Sequence, residues 1–238
     1  FILEPLAYAS QIRIMCEFMN NVEDKTGCEI EYIDAGGGFA SLNSLQGIYL
    51  PPEQVVPSLE QYADAITSVL LEYTEERVSH GRARPQLVLE TGRAGVDDTE
   101  ELITTVFANK KHPDGRHAIV LDAGVNLLFT AFFYNHHITP TRPLNGRAEE
   151  TVLYGPLCMN IDVLRASVML PPINAGDTLI VGPVGAYNNT QWLQFIAYRP
   201  NVVMVHEDQT VSVIRQAENL EVVTAQERIP EHLKIPFK

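Results

Sequence analysis

The sequence lacks three features that each mark a class of protein. Its 238 residues include only three cysteines, Cys16, Cys28 and Cys158, too few and too irregular for a disulfide framework or a zinc site. No apolar run approaches the roughly 20 residues that cross a bilayer. The 17 basic residues are outnumbered by 30 acidic ones, giving a formal net charge of −13. We therefore expect no nucleic acid and no membrane as partner, and a reducing, cytoplasmic setting.

The chain also lacks an initiating methionine and a signal peptide, because it begins Phe1-Ile-Leu-Glu-Pro. We therefore expect it to be part of a longer polypeptide. Its length suits one large or two modest domains, and its hydrophobic content of 45% supports a packed core.

Apolar periodicity predicts an α/β segment over residues 1–95. Residues 5–25 and 54–79 carry apolar side chains three and four positions apart, which is typical of helices with one buried face. Short buried strands are predicted at 28–33 and 86–89. A strand, a helix and a strand with short connections indicate parallel pairing, as in a parallel sheet or barrel.

Beyond Gly95 the pattern changes to short β-like runs separated by turn residues. It predicts a mostly antiparallel β domain over 96–238, with a polar and partly exposed tail from residue 218. Turns are predicted at 112–115 and 174–177, and strands at 103–108, 117–122, 151–154, 178–181, 202–206 and 210–216.

A glycine-rich turn follows the first predicted strand, in Glu31-Tyr-Ile-Asp-Ala-Gly-Gly-Gly-Phe39. Glycine lets a ligand approach the main chain closely, and successive N–H groups in such a turn can bind an anion. A plain tight turn is the alternative. Three further stretches fit the anion-binding interpretation: Glu90-Thr-Gly-Arg93, Gly155-Pro-Leu-Cys-Met-Asn-Ile-Asp162 and Gly185-Ala-Tyr187.

In their order along the chain, these motifs resemble those of the fold-type III pyridoxal-phosphate decarboxylases, the family of diaminopimelate, ornithine and arginine decarboxylases. Ile33–Phe39 resembles the family's phosphate loop, and Leu89–Arg93 resembles its Glu-Pro-Gly-Arg motif, with Thr91 in place of proline. The segment from Leu121-Asp-Ala-Gly-Val-Asn126 to Tyr134 resembles the diaminopimelate branch. Gly155–Cys158 with Asp162 resembles the catalytic cysteine motif, and Gly176-Asp177 with Gly185–Tyr187 resembles the last cofactor segment.

The resemblance implies decarboxylation of an amino acid with pyridoxal 5′-phosphate as cofactor, in a homodimer with shared active sites. It implies that the cofactor phosphate is held by the glycine N–H groups, an arginine and a tyrosine hydroxyl, and that Glu90 faces the pyridine nitrogen. Cys158 would be the catalytic proton donor, in the active site of the neighbouring subunit, and Asp162 would lie near the substrate. The implied cofactor-binding residues are Gly36, Gly37, Gly38, Glu90, Gly92, Arg93 and Tyr187.

Each of these side chains also has a purely structural interpretation. Glu90 could cap a helix, and Arg93 could form a salt bridge. Cys158 could be a small buried hydrophobe, Asp162 could start a helix, and Tyr187 could be a core aromatic. We expect no metal site at the adjacent histidines 136 and 137, because neighbouring strand residues point to opposite faces.

Two positions depart from the pattern that the resemblance implies. An acid often follows the catalytic cysteine, but Met159 stands there and cannot pair with an ammonium group. Diaminopimelate enzymes tend to carry an arginine where this chain has Thr130, which cannot bind a distal carboxylate as a fork. We therefore expect a related amino acid, rather than diaminopimelate, as substrate.

The lysine content departs further. The family's Schiff-base lysine and its cofactor-stacking histidine precede the glycine loop, whereas only Lys25 precedes it here, and Lys25 matches no such motif. The resemblance thus implies that residues 1–95 are the last strands of a (β/α)8 barrel and that an N-terminal segment or chain supplies the lysine, so that this chain alone is inactive. The alternatives are a non-catalytic decarboxylase homologue that acts as a binding or regulatory protein, and a racemase.

Overall fold

A computed structural model describes residues 2–234 of the chain. Phe1 and residues 235–238 lie outside the described part. Phe1 is the first residue of the predicted domain 1–95, and residues 235–238 end the predicted domain 96–238 and its tail. Helix α1 covers Pro5–Thr26, as its periodicity predicts. Strands β1 (Tyr32–Asp34) and β2 (Gln86–Val88) pair in parallel, which confirms the predicted parallel pairing.

The second long helix differs from its prediction. Instead of one helix over 54–79, the chain forms a short helix α2 (Pro52–Val55) and a long helix α3 (Leu59–Ser79). Pro57 lies in the break, where its missing N–H and the restraint on Val56 disfavour continuous helix. Ser58 then begins α3 with a capping box, in which it exchanges hydrogen bonds with Gln61.

The first hydrophobic core joins α1 and α3 to β1. Tyr8 and Ile12 of α1 and Tyr62 and Ile66 of α3 are fully buried there, together with Ile33 of β1. The apolar face of each helix thus covers one face of the short parallel pair.

An ion pair closes the lower end of this core. The carboxylate of Glu23 on α1 bonds the guanidinium of Arg77 on α3, and both side chains are almost completely buried. Arg82 adds a second bond to Glu23 at 3.0 Å, and the Ile30 N–H a third at 2.6 Å. Burial alone would raise the pKa of Glu23, but the Ile30 N–H and the two arginines lower it, so the carboxyl is ionised.

A short helix, α4 (Gly92–Val96), leads into a six-stranded sheet. Its order is β5-β8-β3-β4-β6-β7, and all neighbours are antiparallel except β4 and β6. The strands are β3 (Leu102–Lys111), β4 (His117–Leu121), β5 (His137–Pro140), β6 (Glu149–Tyr154), β7 (Val163–Leu170) and β8 (Thr178–Gly182).

The second hydrophobic core lies on this sheet, among residues 106–184. A separate antiparallel hairpin of β9 (Val202–Val205) and β10 (Val211–Arg215) follows, and then a one-turn helix α5 (Leu220–Val223). The strand pairs within residues 102–215 are antiparallel except for β4 and β6. The pattern missed β5 and β7, of which β7 carries Arg165, Ala166 and Ser167 in place of an uninterrupted apolar alternation.

Across residues 2–234, no helix combines the length and apolar character needed to cross a bilayer.

Candidate functional site

The glycine turn lies at the carboxyl ends of the two parallel strands. The Ala35 N–H donates to the Val88 carbonyl at 3.0 Å, and the Glu90 N–H donates to the Gly36 carbonyl at 2.8 Å. These bonds hold the glycine turn against the segment that contains Glu90. A β-carbon at Gly37 would stand only 2.4 Å from the Glu90 carbonyl oxygen, so that only glycine fits at this position.

The turn offers two adjacent main-chain donors. Gly36 and Gly38 have φ angles of 69° and 93°, which side chains rarely allow. Within residues 2–234, the N–H groups of Gly37 and Gly38 donate to no acceptor. Two consecutive donors at an accessible turn fit an anion such as a phosphate group, in agreement with the anion-binding interpretation.

Helix α1 fixes the turn from below. The Tyr8 hydroxyl donates to the Gly37 carbonyl at 2.8 Å, and the Gln11 amide donates to the Ala35 carbonyl at 3.1 Å. The Tyr8 ring stacks on Phe39, with ring centroids 4.9 Å apart. Burial, with a smaller contribution from Tyr62, raises the pKa of Tyr8 to about 12, so the hydroxyl keeps its proton and remains a donor.

Arg93 lies between two tyrosines. Its guanidinium carbon is 4.9 Å from the ring centroid of Tyr134 and 4.9 Å from that of Tyr187. Stacking of a planar cation on aromatic faces restrains it close to the Glu90 segment. Glu90 itself is exposed, and Thr91 rather than Glu90 occupies the N-cap of α4, so the helix-capping interpretation of Glu90 is wrong.

Tyr187 is held in an unusual conformation at the surface. Its φ angle is 68°, which is costly for an aromatic residue, and its side chain is 44% exposed. The core-aromatic interpretation of Tyr187 is therefore wrong. The exposed ring stacks on Arg93.

A buried polar network supports the residues next to Tyr187. The ring of His136 is 1% exposed and donates from Nδ1 to the Pro183 carbonyl at 2.9 Å, and its Nε2 lies 2.8 Å from the Thr130 hydroxyl oxygen. The Thr130 hydroxyl donates to the Asn188 side-chain oxygen at 2.8 Å. The Thr130 N–H donates to the Asn188 side-chain oxygen at 3.1 Å. Burial lowers the pKa of His136 to about 4, which keeps the ring neutral. His137, the next residue, is exposed, as strand alternation predicts.

Asp162 ties two glycine-containing turns together. Its carboxylate accepts the Val125 N–H at 2.8 Å and the Leu157 N–H at 2.7 Å, and the residue is 2% exposed. A β-carbon at Gly155 would stand 2.3 Å from the Asp162 oxygens. Burial raises the pKa of Asp162, and the two N–H groups oppose that rise. Because β7 follows directly, the interpretation of Asp162 as a helix start is wrong, while its contact with substrate stays a prediction.

Cys158 lies on the loop that Asp162 holds, and its side chain is exposed. The interpretation of Cys158 as a buried hydrophobe is therefore wrong. Met159, the next residue, packs against the second core. In the described part of the chain, no hydrogen bond joins this loop to the glycine turn.

Sequence reasoning missed Asp97, a buried carboxylate that bonds two loops of the site. It also missed the contribution of Tyr8, which appears in the sequence only as one apolar position of a helix. No local signal could have found either residue, because their partners lie between 29 and 89 positions away.

Comparisons with known proteins agree with these motifs. Residues 93–185 match the model of the pyridoxal-dependent decarboxylase C-terminal sheet domain. The chain is 31% identical to the diaminopimelate decarboxylase of Methanothermobacter thermautotrophicus over 236 residues, which is 98% of the chain and 52% of the relative. It is 30% identical to that of Helicobacter pylori over 200 residues, covering 82% of the chain and 44% of the relative.

Solved structures share the fold. A crystal structure of diaminopimelate decarboxylase from Methanocaldococcus jannaschii superposes with a TM-score of 0.84 at 26% identity, over 98% of this chain and 51% of the other. The chain thus spans about half the length of the curated relatives it matches. The cofactor of this family is pyridoxal 5′-phosphate, and the available glycine N–H groups fit its phosphate. By sequence and fold, the chain belongs to the pyridoxal-dependent decarboxylases and corresponds to the C-terminal portion of their polypeptides.

Proposed function

We propose that the chain forms part of a pyridoxal-phosphate-dependent amino acid decarboxylase. One observation carries the proposal: two adjacent main-chain donors, at Gly37 and Gly38, stand without acceptors beside the segment that leads from Glu90 to Arg93. Donors at a glycine turn and a restrained arginine are the groups that a phosphate ester needs.

The residue roles follow from these positions. The N–H groups of the glycine turn, the Arg93 guanidinium and the Tyr187 hydroxyl hold the phosphate, and Gly92, the first residue of α4, lies beside it. Glu90, an exposed carboxylate, keeps a proton on the pyridine nitrogen. When bound, the cofactor supplies an electron sink for the carbanion that loss of carbon dioxide leaves.

Cys158 delivers a proton to the carbon that has lost its carboxyl group. Its exposure at the surface supports a role toward a neighbouring copy of the chain, in a homodimer with shared active sites. Asp162 bonds the loop that carries Cys158, and it therefore lies near the substrate.

The substrate is an amino acid related to diaminopimelate but distinct from it. Thr130 is 3% exposed and bonded to His136, so it is unavailable to a substrate carboxylate. Met159 packs against the core and offers no charge to a distal amine. A related solved structure, that of the Methanocaldococcus jannaschii enzyme, contains L-lysine, which is an amino acid of the same general class.

The remaining parts of the active site come from a segment outside this chain. We place residues 1–95 as the last strands of a (β/α)8 barrel and 96–238 as the C-terminal β domain. A preceding segment supplies the lysine that binds the cofactor, so that the chain alone does not hold it covalently. A cytoplasmic setting, from the scarcity of cysteine, completes the proposal.

The test compares two exposed cysteines in the gene product that contains this chain. We expect Cys158→Ala to retain the cofactor absorbance but to lose decarboxylation, or to place the new proton on the wrong face of the product. Cys28→Ala is the matched control, because Cys28 is also exposed but lies in the connection between α1 and β1, outside the site. It should retain full activity.

Two results would refute the proposal. Normal turnover and product in Cys158→Ala would remove Cys158 as proton donor. A gene product that binds no pyridoxal 5′-phosphate would favour a non-catalytic homologue that acts as a binding or regulatory protein.

A further inference from the structure

Asp97 is a buried carboxylate at the end of α4, and it is 2% exposed. Its Oδ2 atom accepts from the Ser41 hydroxyl and from the Asn43 amide, the latter at 2.7 Å. Its Oδ1 atom accepts from the Ala186 N–H at 3.3 Å. The three groups that bond the carboxylate are all donors, so both of its oxygen atoms act as acceptors.

These partners come from two loops that flank the candidate phosphate site. Ser41 and Asn43 follow the glycine turn by only a few residues, whereas Ala186 directly precedes Tyr187. The main-chain oxygen of Asp97 also accepts the Gly185 N–H at 2.8 Å. A β-carbon at Gly185 would stand 2.0 Å from the Val96 carbonyl oxygen, so this approach requires glycine.

Asp97 also connects to Arg93. The Asp97 N–H donates to the Arg93 carbonyl at the end of α4. Asp97 is therefore bonded both to the helix that carries Arg93 and to the loop that carries Tyr187. The Arg93 guanidinium and the Tyr187 ring face each other at 4.9 Å.

We propose that Asp97 is a positioning residue, which holds the 185–187 segment against α4 and so fixes the Tyr187 hydroxyl and Arg93 for one phosphate group. The inference rests on the proposed function for the identity of the ligand. The contacts of Asp97 with residues 185 and 186 are called the clamp below. Tyr187 has a φ angle of 68°, which is costly for this residue, so the 185–187 segment should relax to an ordinary conformation if the clamp were released.

The first test follows backbone hydrogen exchange in the cofactor-free gene product. Asp97→Ala removes the acceptor of the Ala186 N–H, so we expect exchange across residues 185–188 to increase about 10-fold, the effect of about one hydrogen bond. Asp97→Asn retains the shape and one acceptor oxygen, and it should give a smaller increase. Ser41→Ala, which removes a single donor and leaves the carboxylate in place, tests the clamp if Asp97→Ala fails to fold.

The matched control is Glu218→Ala. Glu218 is also a buried carboxylate, with its side chain 8% exposed, but it bonds Arg199 at the base of the β9–β10 hairpin and touches neither loop of the site. It should leave exchange at residues 185–188 unchanged. Unchanged exchange in both Asp97 variants and in Ser41→Ala would overturn the proposal.

The second test separates the clamp from the proposed function. We expect Asp97→Ala to weaken binding of pyridoxal 5′-phosphate about 10-fold and to change binding of pyridoxal, which lacks the phosphate, less than about 2-fold. An equal loss for both ligands, or none, would overturn the positioning role. A wild-type gene product that binds neither ligand would refute the proposed function, and the exchange measurement would still decide whether Asp97 holds the loops.

Discussion

Gly37→Ala is the most direct perturbation of the contact between the glycine turn and the Glu90 segment. The new β-carbon would stand 2.4 Å from the Glu90 carbonyl oxygen. That oxygen must retreat by about 1 Å to reach ordinary van der Waals contact. Two hydrogen bonds hold this segment in place. The Glu90 N–H donates to the Gly36 carbonyl at 2.8 Å, and the Gly92 N–H donates to the Glu90 carbonyl at 2.9 Å.

The free energy of unfolding should therefore fall by about 3 kcal/mol. Overpacking at a rigid contact costs about 1–3 kcal/mol, and loss of the Glu90–Gly36 hydrogen bond adds about 1 kcal/mol. Gly36→Ala is the matched control one residue away. Nothing lies within 4 Å of its β-carbon, so only the left-handed backbone at φ 69° opposes alanine, at about 1 kcal/mol.

Urea unfolding of both variants measures the difference, since the linear extrapolation resolves about 1 kcal/mol. We expect Gly37→Ala to be the less stable variant by about 2 kcal/mol. If Gly37→Ala is as stable as Gly36→Ala, the Glu90 carbonyl moves freely, and the two segments do not form the rigid site described above.

Three further predictions concern buried ionisable side chains. Arg77→Met should lower the free energy of unfolding by about 3 kcal/mol, because the buried Glu23 carboxylate keeps only Arg82 and the Ile30 N–H as partners. The double variant with Glu23→Leu should recover most of this loss, and an equal loss in the single and the double variant would contradict a buried pair. The free energy of unfolding should fall by about 3 kcal/mol as the pH is lowered from 6.5 to 4, because His136 binds a proton in the unfolded chain but stays neutral in the folded one. The His136→Gln variant should lack this part of the pH dependence. Asp162, whose folded pKa is raised, binds its proton first in the folded state, so its contribution to stability should decrease as the pH rises above 3.8; urea titrations of Asp162→Asn should lack that decrease.

The sequence alone determined the local elements and the ligand class. Periodic apolar residues predicted α1, and the glycine run at the end of a β-like segment predicted an anion-binding turn, because both signals depend on residues close together in the chain. The order of the motifs predicted the family, which the relatives confirm. The single helix predicted for 54–79 was wrong because the periodicity continues on both sides of Pro57 while the backbone does not.

Only the tertiary structure decided which of the candidate side chains lie close together and which groups bond them. Asp162 has the same sequence pattern whether or not its carboxylate accepts main-chain N–H groups, and the fold shows that it accepts two. Asp97 carries no motif, since the residues that bond it lie 54 to 89 positions away. The stacking of Arg93 between Tyr134 and Tyr187 likewise joins three distant segments. The physical reason is common to all three: a buried charge or a close contact gains its role from groups that only the folded chain brings within a few ångströms.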